Sequence, residues 1–348
     1  MFLLKKEWLE KVKEKEKCFL KILKQCLAVK KEQVLIIADY GEENRQLSAL
    51  FAYGYYFAAQ KLKLPVQLLF QKPKKGFMQA DSQIAEALYH FPQKNIVILC
   101  VSQKLGRLAQ EKSFRTFCSE RQHRFLSTTG LGDSTNTHFD LFLEAMDINY
   151  ARLQKKGLRI KKMWDKAKEI RIKTKLGTDL IFQVEKMQAI ANVGDYRLPG
   201  QGGNMPAGEV YIPPQGYYGV QGKVVIDGSM KTEEGAVMVK EPLTLFIENG
   251  RVVKIEGAHA PLLEKTLCKY EDRAKYPYRV RHIGELGLGI NSGAVLTGST
   301  IIDEKVLGTA HVALGSNYWF GGAIRTIFHG DQIFKDPQVF LDGKEMKL

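Results

Sequence analysis

Short apolar runs alternate with helical stretches over the first third of the chain, and this alternation constrains the fold more than any other feature. The runs are VLIIA (34–38), VQLLF (66–70) and NIVILCV (95–101), and apolar residues at helical spacing lie between them, near 47–62 and 84–89. Short apolar strands separated by helices are typical of βαβ units, whose parallel sheet is buried on both faces. The sequence therefore predicts a doubly wound parallel α/β domain.

The pattern changes after Glu169, where strand candidates of period two are broken by Gly and Pro. The segment IENGRVVKIEG predicts a hairpin, because the dipeptide Asn249-Gly250 tolerates positive φ in a tight turn. Alternation with frequent turn signals favours an antiparallel sheet. We expect an N-terminal α/β domain with a basic leading helix over residues 1–165. A β-rich α+β domain over residues 166–348 should carry the catalytic and metal-binding residues.

The composition is that of a folded globular protein, since 45% of the residues are hydrophobic and 26% are charged. Much of the net charge of +14 lies in the stretch Lys5–Lys30, where lysines alternate with an apolar stripe at helical spacing. A solvated helix face explains this pattern better than a nucleic-acid or membrane helix does. No aromatic and basic interleaving typical of RNA-binding modules follows. We therefore expect neither a nucleic-acid partner nor a membrane partner.

Cysteine usage and apolar run lengths predict the cellular compartment. The five cysteines are odd in number, widely separated and free of CxxC pairs, which indicates a reducing environment. The N-terminal segment MFLLKKEWLEKVKEKEK has no uninterrupted apolar stretch of the kind found in signal peptides. No apolar run approaches the roughly 18 residues that span a bilayer. These features predict a cytoplasmic protein.

Four polar clusters in the C-terminal half contain the residues best suited to chemistry. They are NMPAGEVY (204–211), HIGELGLGIN (282–291), EKVLGTAHVALG with the following Tyr318 (304–318), and HGD (329–331). The first lies in a glycine-rich loop that could in principle cradle a phosphate. Such a loop should open a helix, however, and here Pro213 and Pro214 follow. The phosphate interpretation is therefore disfavoured.

Two histidines and three carboxylates in these clusters form a candidate ligand set for metal ions: Glu209, Glu285, His311, His329 and Asp331. A single histidine beside an apolar strand is more often structural than functional. In HGD, however, strand alternation places His329 and Asp331 on the same face. Together the five supply the nitrogen and oxygen donors that divalent metals use. Five donors suit two metal ions better than one.

These motifs, taken in order, resemble the aminopeptidase T and aminopeptidase S metallopeptidase family. The matching segments are GTD (177–179), NMPAGEVYIPP (204–214), GELGLGIN (284–291), EKVLGTAHVALGSNY (304–318) and HGD (329–331). The resemblance covers most of the chain. It is dense in motifs from about residue 169 to about residue 343 and only topological before that.

The resemblance implies a metal-dependent aminopeptidase that releases N-terminal residues from peptides with a free N-terminus. Two divalent ions, Zn, Co or Mn, would be held by the five donors and would activate a water molecule. The resemblance assigns the catalytic tyrosine to Tyr318, seven residues after His311. Glu209 or Glu285 would relay the proton of the water, while Tyr318 would hydrogen-bond the developing oxyanion. The sequence leaves open which glutamate bridges the metals and which is the base.

Two further expectations follow from the same motifs. Lys305 and Arg325 are candidates for binding a substrate carboxylate, with surface salt bridges as the alternative that the usual exposure of these residue types favours. The resemblance also implies a homodimer, because members of the family commonly dimerise across the active-site cleft.

The same donors support a second hypothesis. His311, His329 and Asp331 satisfy the triad of two histidines and one carboxylate that holds a single Fe(II) in mononuclear iron oxygenases. The 2,5-dihydroxypyridine ring-cleaving dioxygenases are similar to the peptidase family in fold and chain length. Glu209 and Glu285, which an iron triad does not need, favour the two-metal peptidase. A binding protein or inactive relative is a third hypothesis, since fold alone does not decide function.

Overall fold

The computed structural model describes residues 4–108 and 113–347. Contacts divide the chain into two units. The first unit consists of Met1–Tyr150 with Gly194–Ala207, and the second of Ala151–Val193 with Gly208–Leu348. These units differ from the predicted division after residue 165 in two places. The helix that begins at Tyr150 lies almost wholly in the second unit, and a short glycine-rich segment near residue 203 returns to the first.

The elements follow one another as the sequence pattern indicates. Up to residue 164 they are α1 (Lys6–Glu14), α2 (Glu16–Gln25), β1 (Val34–Asp39), α3 (Leu47–Lys61), β2 (Val66–Gln71), α4 (Ser82–His90), β3 (Ile96–Cys100), α5 (Phe114–Glu120), β4 (Arg124–Thr128), α6 (Phe139–Met146) and α7 (Tyr150–Trp164). The later elements are β5 (Glu169–Lys173), β6 (Asp179–Gln183), β7 (Ile190–Asn192), β8 (Gly202–Asn204), β9 (Glu209–Ile212), β10 (Val220–Ile226), β11 (Ser229–Thr232), β12 (Gly235–Met238), β13 (Leu243–Glu248), β14 (Arg251–Glu256), α8 (Ala260–Glu271), β15 (Ile283–Gly289), α9 (Thr300–Asp303), β16 (Thr309–Gly315), β17 (His329–Lys335), β18 (Gln338–Leu341) and β19 (Lys344–Glu345).

The first unit contains a parallel sheet in the order β2-β1-β3-β4-β8. Strands β1 and β3 are buried along their whole length, as continuous apolar runs in a parallel sheet require. Leu35 and Ile37 of β1 share a core with Ile84 and Leu88 of α4, and α3 also packs against β1. The predicted parallel α/β domain is confirmed.

The second unit contains two antiparallel sheets. Their orders are β14-β13-β10-β6-β5-β18-β19 and β12-β11-β17-β16-β15-β9-β7. Asn249 and Gly250 both have positive φ, 47° and 73°, and join β13 to β14 in the predicted hairpin. The β-rich α+β class of this part of the chain is therefore confirmed as well.

The basic N-terminal stretch forms two helices, α1 and α2, which meet at Lys15. Val12, Phe19 and Ile22 are fully buried along its apolar stripe. Of the lysines around this stripe, Lys11 forms an ion pair with Asp140 at 2.5 Å. The stretch thus packs on its apolar side, as an amphipathic helix of a globular protein does.

Cysteines and helix lengths add two structural facts. All five cysteines are free thiols, and four of them are buried. None of the helices in the described part of the chain combines the length and the apolar character needed to cross a membrane.

Candidate metal centre

Four neighbouring strands of the second unit bring the five predicted donors together. Glu209 begins β9, Glu285 lies in β15, His311 in β16, and His329 and Asp331 in β17. These strands are adjacent in the order β17-β16-β15-β9. Because side chains alternate along a strand, residues that lie opposite each other or two apart share a face. The donors therefore converge on one face of the sheet.

Glu285 lies at the centre of the donor cluster. Its Oε1 is 3.2 Å from Nε2 of His311, and its Oε2 is 3.8 Å from Nε2 of His329. Nε2 of His311 is also 3.9 Å from Glu209, and Nε2 of His329 is 3.5 Å from Asp331. One carboxylate thus joins two imidazoles, each of which faces a second carboxylate.

Glycines in β15 make this close approach possible. Gly287 pairs with His311 across the strands, and a Cβ at Gly287 would lie 2.0 Å from His311 Nε2. A Cβ at Gly289 would lie 2.1 Å from the carbonyl oxygen of Val306, in the segment that leads to β16. Gly287 therefore leaves space for the imidazole that any larger side chain would fill, and Gly289 does the same for the backbone of Val306.

The cluster has two further members: Glu304, which was not among the predicted donors, and Lys305, which was predicted only as a contact for a substrate carboxylate or as a surface salt bridge. Glu304 follows α9, and Lys305 is fully buried. The Lys305 ammonium donates hydrogen bonds to Oε1 of Glu209 and to Oε1 of Glu304. The expectation of a surface salt bridge at Lys305 is wrong, because both partners are carboxylates inside the cluster. Arg325, in contrast, is exposed, and its guanidinium lies 5.3 Å from the ring centroid of Tyr318.

Three overlapping sets of side chains in the described part of the chain have ligand atoms within 4.8 Å of one another. They are Glu209 with Glu285 and His311, Glu285 with His329 and Asp331, and Glu304 with His311 and Asp331. All five predicted donors thus belong to at least one set. None of the three sets contains both histidines of the predicted iron triad. In the set that contains His329 and Asp331, the third member is Glu285 rather than His311.

The electrostatics of the cluster reflect an excess of negative charge. Burial disfavours a charged imidazole, yet the nearby carboxylates outweigh it and raise the pKa of His311 to about 9 and that of His329 to about 10. Burial, together with the charges of Glu209 and Asp331, raises the pKa of Glu304 to about 8 despite the adjacent Lys305. Burial also raises the pKa of Glu285. Several buried carboxylates lie close together here, so His311, His329 and Glu304 lose their protons only at a higher pH than usual.

The cluster fits a divalent metal ion on chemical grounds. Carboxylate oxygens and imidazole nitrogens are the usual protein ligands of Zn, Mn and Fe(II). Nδ1 of His311 is buried without a hydrogen-bond partner in the described structure. Nδ1 of His329 faces the carbonyl oxygen of Ser316 at 2.8 Å and must donate to it, so in the neutral imidazole Nε2 carries no proton and can bind a metal. These residues therefore form a metal-binding cluster.

Aromatic side chains lie beside the most exposed donor. The side chain of His329 is 25% exposed, whereas that of Asp331 is 11% and that of Glu285 is 7% exposed. The Trp319 ring is 4.8 Å from that of His329, and 57% of Trp319 is exposed. Tyr318, the predicted catalytic tyrosine, lies in the same short 3-10 turn and is 60% exposed. The cluster therefore opens to solvent on the side of His329.

Comparison with known proteins identifies the family. The family model of NicX, 2,5-dihydroxypyridine 5,6-dioxygenase, matches residues 142–347. This span is more than half of the chain, so the chain belongs to the NicX family. It also includes every donor described above. A search of the curated proteins finds no match.

Two solved structures share the fold over nearly the full length. The 2,5-dihydroxypyridine dioxygenase from Pseudomonas putida KT2440 has a TM-score of 0.75 at 17% sequence identity, over 97% of this chain and 96% of that one. Wild-type AmpT from Thermus thermophilus has a TM-score of 0.67 at 16% identity, over 97% of both chains. At these identities the two likenesses show the fold alone.

The predicted enzyme class, a metallo-aminopeptidase and thus a hydrolase, is wrong. The family match indicates a dioxygenase, which is an oxidoreductase, and it favours the second hypothesis of the sequence analysis. The error has a physical cause, because both solved structures share the fold of this chain, and histidine and carboxylate donors suit one metal ion as well as two. Counting donors could not separate them. The peptide substrate was implied by the peptidase resemblance alone and loses its support with it.

Proposed function

We propose that this protein is a mononuclear iron(II) dioxygenase that opens a dihydroxylated N-heteroaromatic ring of the 2,5-dihydroxypyridine type. The observation that carries the proposal is the NicX match over residues 142–347, which contains the whole donor cluster. The chemistry of the donors agrees with it, because imidazole and carboxylate ligands suit non-haem Fe(II).

Glu285, His329 and Asp331 are the proposed iron ligands. Their ligand atoms lie within 4.8 Å of one another, and none of the three is hydrogen-bonded to Lys305. Bound iron(II) supplies the redox chemistry that O₂ requires and a Lewis acid for a ring hydroxyl. His311 acts as a positioning residue, because its Nε2 lies 3.2 Å from Oε1 of Glu285 and can donate a hydrogen bond that fixes this carboxylate.

Trp319 is the proposed contact for the aromatic ring of the substrate. Its indole is largely exposed and lies against His329, on the side where the cluster opens. Offset or edge-to-face packing on such a ring favours flat aromatic molecules over flexible ones. The remaining donors are buried, which keeps bulk water away from the reacting ring.

Oxygen uptake tests the proposal. Metal-free protein is loaded anaerobically with Fe(II), and O₂ consumption is recorded with 2,5-dihydroxypyridine and with 2-hydroxypyridine, which lacks the second hydroxyl. We expect one O₂ consumed per molecule of 2,5-dihydroxypyridine, with loss of the ring absorbance, and no uptake with 2-hydroxypyridine. The matched variant Asp331→Asn should show no uptake. Absence of uptake by iron-loaded wild-type protein with dihydroxylated pyridines would contradict the proposal.

A further inference from the structure

Lys305 is the one residue of the donor cluster that carries a permanent positive charge. Its side chain is fully buried, and an isolated ammonium would be very costly in such a place. The backbone holds it on both sides, because Lys305 N donates to the carbonyl oxygen of Ile302 and Lys305 O accepts from Asn291 N at 2.8 Å. Gly289 allows this close packing, since a Cβ there would lie 2.8 Å from the carbonyl carbon of Lys305. The backbone that carries the ammonium is thus held by the segments next to β15 and β16.

The position of the ammonium relative to the three ligand sets is informative. Lys305 bonds to Glu209, a member of the first set, and to Glu304, a member of the third. An oxygen of each carboxylate is therefore already engaged with a cation. The second set, Glu285 with His329 and Asp331, contains neither of these two carboxylates. It is the set in which a metal ion does not compete with Lys305.

Charge counting gives the same result. The cluster contains four carboxylates, those of Glu209, Glu285, Glu304 and Asp331. With all four carboxylates ionised and both imidazoles neutral, the Lys305 ammonium and one divalent ion leave a formal charge of −1. With two divalent ions it would be +1, and the ammonium would share carboxylates with a dication. Like charges at such short distance inside a protein repel strongly, because the surroundings screen them poorly.

We propose that Lys305 is a built-in cation that takes the place of a second metal ion and limits the centre to one divalent ion. The proposal rests on the metal site of the proposed function. It goes beyond that function, because it assigns the metal number to one side chain. It also revises the expectation of two metal ions, because Glu209, one of the five predicted donors, accepts a hydrogen bond from the ammonium instead of binding a second metal.

Metal counting tests this role without any activity measurement. Wild-type protein, Lys305→Met and the double variant Glu209→Gln with Lys305→Met are saturated with Zn²⁺, desalted and analysed for zinc per chain. We expect one ion in wild type and two in Lys305→Met. In the double variant we expect one, because Glu209→Gln removes a carboxylate from the set of Glu209, Glu285 and His311, where the additional ion would bind. The matched control Lys74→Met, which removes a buried lysine paired with Asp81 outside the cluster, should keep one ion.

Thermal unfolding provides a second measurement. Lys305→Met leaves Glu209 and Glu304 buried without a cation, so its melting temperature should rise more on addition of excess Zn²⁺ than that of wild type. Two ions in wild-type protein, or one ion in folded Lys305→Met, would overturn the proposal. If Lys305→Met does not fold, the wild-type count still decides, because a second bound ion there excludes the role of Lys305.

This test is independent of the dioxygenase proposal. A centre that holds one ion in wild type and two in Lys305→Met supports the role of Lys305 even where no O₂ is consumed. Oxygen uptake by a wild-type protein that holds two ions would overturn the role of Lys305 and leave the reaction class intact.

Discussion

Both units contain buried carboxylates, but different kinds of groups stabilise their negative charge. In the first unit, Asp39 at the end of β1 is fully buried and accepts hydrogen bonds from Ser102 N at 2.7 Å, Ser102 Oγ at 2.6 Å, Ser48 Oγ at 2.8 Å and Gly41 N at 3.1 Å. In the second unit, the Glu285 cluster combines four carboxylates with two histidines and one lysine. One carboxylate needs only neutral donors, whereas four together need cations.

The difference separates a structural carboxylate from a functional one. The carboxyl end of a strand in a parallel sheet is where α/β proteins commonly bind ligands, so Asp39 has a suggestive position. Its oxygens are nevertheless saturated by hydrogen bonds from the same unit. The donors around Glu285, in contrast, hold protons at unusual pKa values and leave an imidazole nitrogen unpartnered. The functional site is therefore the one in which the carboxylates are not fully balanced by positive charge.

The largest expected difference between the two kinds of carboxylate is in metal binding. Asp331→Asn removes a proposed ligand, so metal affinity should fall by more than about 100-fold, since changes to residues behind the ligands already cost 10- to 100-fold. Asp39→Asn should leave the affinity unchanged. Calorimetric titration of both variants with Mn²⁺ measures this. Equal losses in the two variants would contradict the distinction between the two carboxylates.

For the free energy of unfolding, in contrast to metal binding, the change at Asp39 should be the important one. Asp39→Ala leaves buried donors of Ser48, Ser102 and Gly41 without an acceptor, so the free energy of unfolding should fall by about 2 kcal/mol or more. The metal content per chain should not change. Urea unfolding followed by circular dichroism gives the stability, and elemental analysis gives the metal content. An unchanged urea midpoint would show that this network contributes nothing.

The pH dependence of metal-free protein sharpens the comparison further. The pKa of His311 is raised from 6.5 to about 9 and that of His329 from 6.5 to about 10, so the folded state binds more protons than the unfolded state between these values. The stability they contribute is complete below pH 6.5 and is lost as the pH rises through 9 to 10. We therefore expect chelator-treated protein to lose at least about 1.4 kcal/mol, the equivalent of one pKa unit, between pH 6.5 and 8.5.

Two comparisons check the origin of this loss. Metal-saturated protein should show a smaller loss, because a bound metal already holds the His329 imidazole deprotonated. His329→Gln should show a shallower slope without metal. Urea midpoints across the pH range provide the readout, and a stability that rises with pH in metal-free wild type would refute the assignment.

The smallest expected effects concern the aromatic turn beside His329. Trp319→Ala should raise KM for the ring substrate roughly 3- to 10-fold, the value of one aromatic contact, with little change in metal content. Tyr318→Phe should change kcat and KM by less than about twofold, because the proposed reaction has no role for its exposed hydroxyl. Steady-state oxygen uptake measures both. A large loss of kcat in Tyr318→Phe would restore a catalytic role to this tyrosine.

Much of the fold follows from local patterns in the sequence. Continuous apolar runs identified β1, β2 and β3, and Asn249-Gly250 identified the hairpin, because each feature is determined by neighbouring residues. The segment Gly202–Asn204 was missed as a strand of the parallel sheet. Three residues rich in glycine have no apolar pattern, and their pairing with β4 is determined by the tertiary fold.

In the candidate site, too, some residues follow from local sequence patterns and others depend on the tertiary fold. His329 and Asp331 share a strand face that simple alternation predicts, and the structure places them with the other predicted donors. Glu304 and Lys305 lie next to each other in the sequence, where nothing distinguishes a buried ion pair from a surface one. Their roles depend on Glu209, which is far away in the sequence. The metal number, and with it the reaction class, was therefore not accessible from the ligand types alone.

Isotope labelling of the product tests the central claim most directly. Iron-loaded protein is mixed with 2,5-dihydroxypyridine under ¹⁸O₂ in unlabelled water, and the product is analysed by mass spectrometry. A ring-opening dioxygenase predicts a product in which both atoms of one O₂ molecule are incorporated. A product without ¹⁸O, or an unchanged substrate in the presence of fully loaded iron, would contradict the account.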